Sequence, residues 1–517
     1  MVRDTTVETF DAEAVNAKDK RQLYAARQKI HPKRASGSFR SLKWIIMAIT
    51  LGIYYITPWI RWDRGPYAPD QAVLVDMANR RFYFFFIEIW PHEFFFVAGM
   101  LVMAGIGLFL VTSTVGRAWC GYTCPQTVWV DLFLVVERFF EGERNARIRL
   151  DKAPISGSKA LKRTGKHVTW LVIAVATGGA WIFYFADAPT LAYQFVTFQA
   201  PFVAYATVAI LTATTYVFGG LMREQVCTYM CPWPRVQAAM LDEHSLTVTY
   251  NDWRGEPRTR HAKKAAAAGE AVGDCVDCNA CVAVCPMGID IRDGQQLECI
   301  TCALCIDACD GVMEKIGREK GLISYATLNT YAGNMALATG GVDGGAIDPT
   351  RVREPDGKLS VHAEPFKWSD VIRPRTMIYT FIYAAIGIGL VTALLFRDRL
   401  DLHVLHDRNP VFTRLSDGSI RNGYEVKILN MELQPRDFTV TVEGLDGAHL
   451  RLAGIEPAQD GTHRFEVGAN QLRILRAFVT VPADAITPGG ADFAFSVNAV
   501  DDDDSAEKST KFEAPKR

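Results

Sequence analysis

Up to Phe396 the chain alternates between uncharged apolar runs and charge-rich stretches; beyond it, apolar and polar residues begin to alternate one by one. Five apolar runs approach or exceed the length of a bilayer-crossing helix, about 20 residues with a range of about 17–25. They are Trp44–Ile60, Phe94–Val115, Val168–Ala186, Ala200–Met222 and Met377–Phe396. Buried core helices are the competing reading, and the length of the second, fourth and fifth runs argues against it. The first is the shortest and contains Pro58. After the fifth run, Tyr424–Leu429, Phe438–Val442, Arg464–Val467, Ile474–Val481 and Phe493–Ala499 alternate at period two with turn residues between them. Such spacing predicts an antiparallel sandwich of about a hundred residues.

Charge orients the spans. Ten Lys and Arg lie between Arg3 and Lys43 and ten between Arg117 and Lys166, whereas the loop between the third and fourth runs has none. The positive-inside rule then places the N-terminus, the 116–167 loop and residues 223–375 in the cytoplasm, and everything after Phe396 across the membrane. The first 43 residues lack an apolar h-region and a small-residue cleavage site, so no secretory signal peptide is expected. A net charge of −1 carries no global nucleic-acid signal. The expected segments are a polar cytoplasmic region (1–43), a four-span membrane core (44–241), a cytoplasmic cysteine-rich domain (242–375), a fifth span (376–396), an exported β-sandwich (397–500) and a disordered acidic tail (501–517).

All twelve cysteines precede residue 310. On the cytoplasmic side thiols stay reduced, which favours metal binding or redox chemistry over structural disulfides. Cys275, Cys278, Cys281 and Cys285 follow C-x2-C-x2-C-x3-C and precede Pro286. Cys299, Cys302, Cys305 and Cys309 repeat the spacing, with Asp310 in place of the proline. This is the two-cluster ferredoxin spacing, in which three thiolates of a tight loop wrap one cubane and the fourth ligates the other. Cys275, Cys278, Cys281 and Cys309 are therefore assigned to one [4Fe-4S] cluster, and Cys299, Cys302, Cys305 and Cys285 to the second. Zinc sites use Cys pairs with longer gaps between them, and haem attachment would need C-x-x-C-H, which does not occur.

The remaining four cysteines belong to an internal repeat. The second run exits into WCGYTCPQTVW (119–129) and the fourth into CTYMCPWPR (227–235), each followed by an apolar-periodic segment, 126–140 or 235–241. Both repeats have the same topology, so Cys120/Cys124 and Cys227/Cys231 emerge on one face. In a helix each i, i+4 pair would put both sulfurs on one side. Arg117 and Arg223 are expected to favour thiolate. Soft thiolates select Cu(I), zinc or iron–sulfur iron, and a dithiol can also relay two electrons; inert small residues in a helix are the bland alternative. Glu88, His92 and Glu93, His403 and His406, and Met100 and Met103 are weaker candidates, with interfacial, surface and packing roles as the bland readings.

The combination is a polytopic α-helical membrane protein with five spans and a two-repeat core, a cytoplasmic two-cluster ferredoxin-like domain and a C-terminal all-β sandwich. Together with the tail segment RLSDGSIRNGYEVKILNMELQPRDF, it resembles the cytochrome c oxidase accessory proteins of the CcoG/FixG/RdxA family, over about residues 40–510. The resemblance implies an immunoglobulin-like tail, a bacterial inner-membrane location with a periplasmic C-terminal domain, and reduction of Cu(II) to Cu(I) for maturation of a cbb-type oxidase. It also implies two [4Fe-4S] clusters on the eight cysteines 275–309, and copper as substrate or transient ligand of Cys120, Cys124, Cys227 and Cys231. The implied partners are the oxidase assembly machinery and a copper transporter or chaperone. The absence of G-x-G-x-x-G points to a separate electron donor. The alternatives are a quinol dehydrogenase-type electron-transfer subunit and an assembly scaffold without turnover.

Overall fold

A computed structural model describes residues 7–16, 28–342, 344–354, 358–361, 368–458 and 462–515. The chain divides into two compact units. Met1–Ile60, Val73–Tyr83 and Glu88–Ile388 form one; Arg61–Ala72, Phe84–Ile87 and Gly389–Arg517 form the other.

Among the described residues, five helices are long and apolar enough to cross a membrane: Ser38–Trp59, Pro91–Val115, Gly157–Tyr184, Phe202–Met222 and Pro374–Leu395. The first and third begin well before the apolar runs that predict them, because polar and basic residues such as Lys159 and Lys162 continue the helix beyond its apolar part. Pro58 sits in a closing 3-10 turn, where its missing N–H costs no helical bond. The segment after the first Cys-Pro is a helix, Pro125–Glu141. It packs against the third span, with Phe133 stacked on Trp170 at 5.2 Å and the Trp170 indole donating to Phe133 O at 3.0 Å. The fourth span closes the trio through glycines. A Cβ on Gly220 would lie 3.0 Å from the Trp170 ring, and one on Gly178 only 2.5 Å from Leu211 O. Small residues let helix backbones approach where larger ones would separate them.

The cysteine-rich block belongs to the first unit. Strands Thr247–Tyr250 and Ile323–Ala326 pair antiparallel, and helices Ala280–Val284 and Leu304–Ile316 pack beside them. Two described stretches of the polar N-terminal segment touch this block: Phe10 N donates to Cys278 O at 3.0 Å, and Lys33 N to Ala283 O at 2.7 Å. Asp274, buried next to Cys275, accepts from Arg254 at 2.9 Å, Arg318 at 3.0 Å and Arg353 at 2.6 Å. Breaking a buried ion pair from one side costs about 3–5 kcal/mol. Asp274→Asn is therefore expected to lower the melting temperature and to release iron from the Cys275 loop first, as followed by thermal melting with an iron chelator. An unchanged melt would show that this carboxylate carries no stability.

In the second unit two antiparallel sheets enclose an apolar core. One runs His449–Leu452, Gln471–Val481, Ile420–Asn430, Leu400–His406 in spatial order, with Thr413–Arg414 also on Ile420–Asn430. The other runs His463–Val467, Arg436–Glu443, Ala491–Ala499, Ser505–Phe512. All five predicted strands lie within longer observed ones. Burial alternates strictly along Ile420–Asn430, putting Tyr424, Val426 and Ile428 inward against Phe438, Phe495 and Val497. The expectation of disorder from 501 onward is corrected. Ser505–Phe512 is a strand paired with Ala491–Ala499; Phe512 is buried and the Tyr424 hydroxyl donates to Lys511 O at 2.8 Å. The charges of this segment suit an edge strand, where they discourage pairing with other chains.

Candidate electron-transfer site

Each C-x2-C-x2-C loop turns on the same two backbone positions. Asp277 and Asn279 in the first, and Thr301 and Ala303 in the second, have φ between +47 and +59. The alternation points backbone amides at sulfur: Ala280 N–H at Cys278, Thr301 N–H at Cys299 and Leu304 N–H at Cys302. Consecutive inward amides form a concavity suited to an anionic group.

The thiols fall into two groups that cross between the loops. Cys309 interacts electrostatically with Cys281, Cys275 and Cys278, and Cys285 with Cys302 and Cys299. An apolar pocket is lined by Cys281, Cys285, Cys299, Cys302 and Cys305. Burial, reinforced by neighbouring thiols, pushes Cys281 and Cys285 up to about 12 and Cys299 to about 11. So many buried sulfurs cannot all be thiolate without cations among them, which is the charge state that an iron cubane requires. Arg292 faces Cys281 and Cys275, and Arg117 and Lys43 face Cys299 and Cys302, offsetting the net negative charge of a tetrathiolate cluster. Among the described residues no three His, Cys, Asp or Glu side chains close on a single-ion position. Asp310 also finds its explanation. Pro286 follows the end of the short helix Ala280–Val284, whereas Leu304–Ile316 continues through Cys309, and Asp310 Oδ1 accepts from Gly321 N at 2.8 Å.

The four membrane-exit thiols come together. Cys120 interacts with Cys124 and Cys231, and Cys227 with Cys124, Cys120 and Cys231. Their local geometry differs from the helical i, i+4 pair. Cys124 (ψ 127) caps the helix Pro125–Glu141, and Cys231 (ψ 124) ends a π-helical turn, Val226–Met230. The following proline drives each out of the helical region. The thiolate expectation is also corrected. Burial, aided by Cys124, outweighs Arg117 and raises Cys120 to about 11; burial and the other three thiols raise Cys227 to about 12. Cys120 Sγ donates to Gln237 Oε1 at 3.1 Å.

Arg223 is committed elsewhere, to Glu137 at 2.6 Å. Burial opposes the Glu137 charge, yet Arg223 and Arg147 pull its carboxyl down to about 2. Its contribution to stability is thus fully present above the ordinary value of 4.5 and lost as pH falls through about 2. Arg117 is a stitch: its guanidinium donates to Cys299 O at 3.1 Å and to Leu297 O and Pro234 O. It thereby ties the second cluster loop to both repeats.

The port and that loop are in contact. A Cβ on Gly121 would lie 2.7 Å from Ile300 O and 3.1 Å from Cys302 Cα. The Tyr122 hydroxyl reaches Cys302 O at 3.4 Å, and Cys120 and Cys227 pack on the apolar cluster that holds Ile300 and Cys302. From the cluster helix, Asp307 caps the first span, accepting from Arg40 N at 2.7 Å and Phe39 N at 3.2 Å. No sequence signal singled out Arg117 as a stitch, Gln237 or Asp307. Among the weaker candidates, Glu93 caps its helix through Trp90 N at 3.0 Å, Glu88 pairs with Arg81 at 3.1 Å, and the exposed His403 pairs with Asp401.

Residues 222–328 match the family described as a 4Fe-4S dicluster domain, 96–141 a 4Fe-4S binding domain, and 390–515 the IG-like fold at the C-terminal of FixG. The nitrogen fixation protein FixG of Rhizobium meliloti (strain 1021) is 66% identical over 96% of this chain and 94% of its own. The chain belongs to the FixG/RdxA family. Two further FixG/RdxA members, both from Cereibacter sphaeroides, agree: RdxB is 54% identical over 88% of this chain and 90% of its own, and RdxA 50% over 91% and 92%. A solved FixG-related protein from Vibrio parahaemolyticus overlaps 22% of this chain and 96% of its own at 17% identity, with a TM-score of 0.20. The chain is thus an iron–sulfur electron-transfer protein of the FixG/RdxA family.

Proposed function

We propose that this protein reduces Cu(II) to Cu(I) at the membrane-exit thiols for maturation of a cbb-type cytochrome c oxidase. The observation that carries the reading is the contact of the Cys120–Tyr122 segment with the Ile300–Cys302 loop, beside four gathered thiols. Cys275, Cys278, Cys281 and Cys309 hold one [4Fe-4S] cluster, and Cys299, Cys302, Cys305 and Cys285 the other. Bound clusters store and pass on single electrons, so each copper ion takes one: Cu(II) + e− → Cu(I), the electron coming from a separate reductant partner. Cys120, Cys124, Cys227 and Cys231 offer soft sulfur that favours the Cu(I) product. Burial keeps Cys120 and Cys227 protonated at rest, so copper capture at these two releases protons. Gln237 orients the Cys120 thiol. The N-terminal segment and the cluster block lie in the cytoplasm of a bacterial inner-membrane protein, and the sandwich faces the periplasm. The oxidase assembly machinery and a copper transporter or chaperone are the partners.

The test uses full-length, anaerobically reduced protein. Wild type is expected to bind about eight iron atoms per chain, as two cubanes require, and to convert Cu(II) to Cu(I). Cys120→Ser and Cys231→Ser should keep the iron and reduce copper more slowly. Unchanged reduction in both variants would refute the thiol port, and about twelve iron atoms would assign its four sulfurs to a third cluster.

A further inference from the structure

A cavity of about 530 Å³ opens where the first span begins, between residues 34–44 and the outer face of helix Pro125–Glu141. Arg34, Arg40 and Arg138 line it, against Glu143 as the one lining carboxylate. Arg40 is engaged with Asp131 at 3.1 Å, and Lys43 holds the same carboxylate at 2.8 Å. Arg34 and Arg138 have no ion pair among the described residues, and the buried Arg138 Nε has no hydrogen-bond partner. Burial and then Arg147 lower the Arg138 guanidinium to about 10, so its charge is held at a cost that a counter-anion would relieve.

The far wall is apolar. Trp44 and Phe139 line it, and Phe139 is 81% exposed; Arg40 lies over the Trp44 ring at 4.7 Å. Guanidinium groups beneath an exposed aromatic wall at the start of a membrane-spanning helix match one ligand shape, a phosphate attached to an acyl chain. Free phosphate satisfies the arginines and leaves Phe139 and Trp44 uncovered. The helix N-terminus nearby is not part of the site, because Asp307 already caps it.

We propose that this pocket binds the headgroup phosphate of an anionic phospholipid, with the acyl chain lying against Trp44 and Phe139. The lipid ties the first span to the Pro125–Glu141 helix that Cys124 caps. A basic residue near an anionic lipid surface contributes about 1 kcal/mol, or about fivefold in affinity.

Native mass spectrometry of the delipidated full chain, titrated with phosphatidylglycerol, phosphatidylethanolamine or inorganic phosphate, tests this. Wild type should retain one phosphatidylglycerol in preference to phosphatidylethanolamine, and excess inorganic phosphate should not displace it. Arg34→Gln with Arg138→Gln should weaken retention about 25-fold, whereas Arg34→Lys with Arg138→Lys should keep most of it. Arg34 is exposed, so Arg34→Gln alone folds safely and should weaken retention about fivefold. Equal retention of both lipids, an Arg34→Gln chain that binds like wild type, or displacement by inorganic phosphate would each overturn the proposal. None of these outcomes depends on copper reduction.

Discussion

Replacing Cys285 by serine is expected to destroy the cluster of the other loop. Cys285 belongs to the first C-x2-C-x2-C-x3-C by sequence, yet its thiol neighbours are Cys302 and Cys299, while those of Cys309 are Cys281, Cys275 and Cys278. Cys285→Ser should therefore remove the signal of the cluster nearest the port, and Cys309→Ser that of the distal one. Each variant should keep about four iron atoms. The two are separable because only the proximal cluster faces Lys43 and Arg117. Adding Arg117→Gln to Cys309→Ser should then shift the potential of the surviving cluster downward, since a nearby cation favours the more negative, reduced form. The same addition to Cys285→Ser should leave the distal potential in place. If Cys285→Ser instead removed the distal cluster, the crossed assignment would be wrong.

The second large effect is expected at Gly121, a residue with no functional group. A Cβ there would sit 2.7 Å from Ile300 O and 3.2 Å from Cys302 N, both backbone atoms that cannot swing aside. Gly121→Val must push the Cys120 segment off the cluster loop or strain it, while both thiol groups and the eight cluster cysteines remain. Misplacement of reacting partners by about 1 Å can cost about a hundredfold. Copper reduction should fall by about that much with iron content unchanged, whereas Gly105→Val, where a Cβ meets open space, should have little effect on it. Loss of iron in Gly121→Val would instead mean that the contact supports cluster assembly. Full activity would mean that electrons leave the proximal cluster by another route.

These two residues show what local pattern can and cannot carry. The 4Fe-4S dicluster domain was legible because its cysteines repeat a spacing of a few residues. The spans were legible because a bilayer imposes a length on apolar runs. The five predicted sandwich strands were legible because apolar and polar residues alternate along them in the sequence. Gly121, Asp307 and Arg117 were not, since the partner that gives each its role lies some 180 residues away or more in sequence. The conditional helical i, i+4 geometry does not hold for Cys124 and Cys231, because the proline after each drives it out of the helical region. The last strand was missed because its burial rests on one large residue, Phe512, amid charges. The charged helix Pro125–Glu141 hides a similar lesson: Asp131 and Glu137 look like solvated acids and are fully committed to buried cations.

Electron paramagnetic resonance of the anaerobically reduced full chain, recorded before and after one equivalent of Cu(II), shows whether electrons pass from the clusters to copper. Two reduced-cluster signals should be present at first. On adding copper, cluster signal should decline in proportion to the copper added while no Cu(II) signal survives, and Cys120→Ser should slow the loss of both signals. Persistence of a full Cu(II) signal beside unchanged, reduced clusters in the wild-type chain would contradict that transfer.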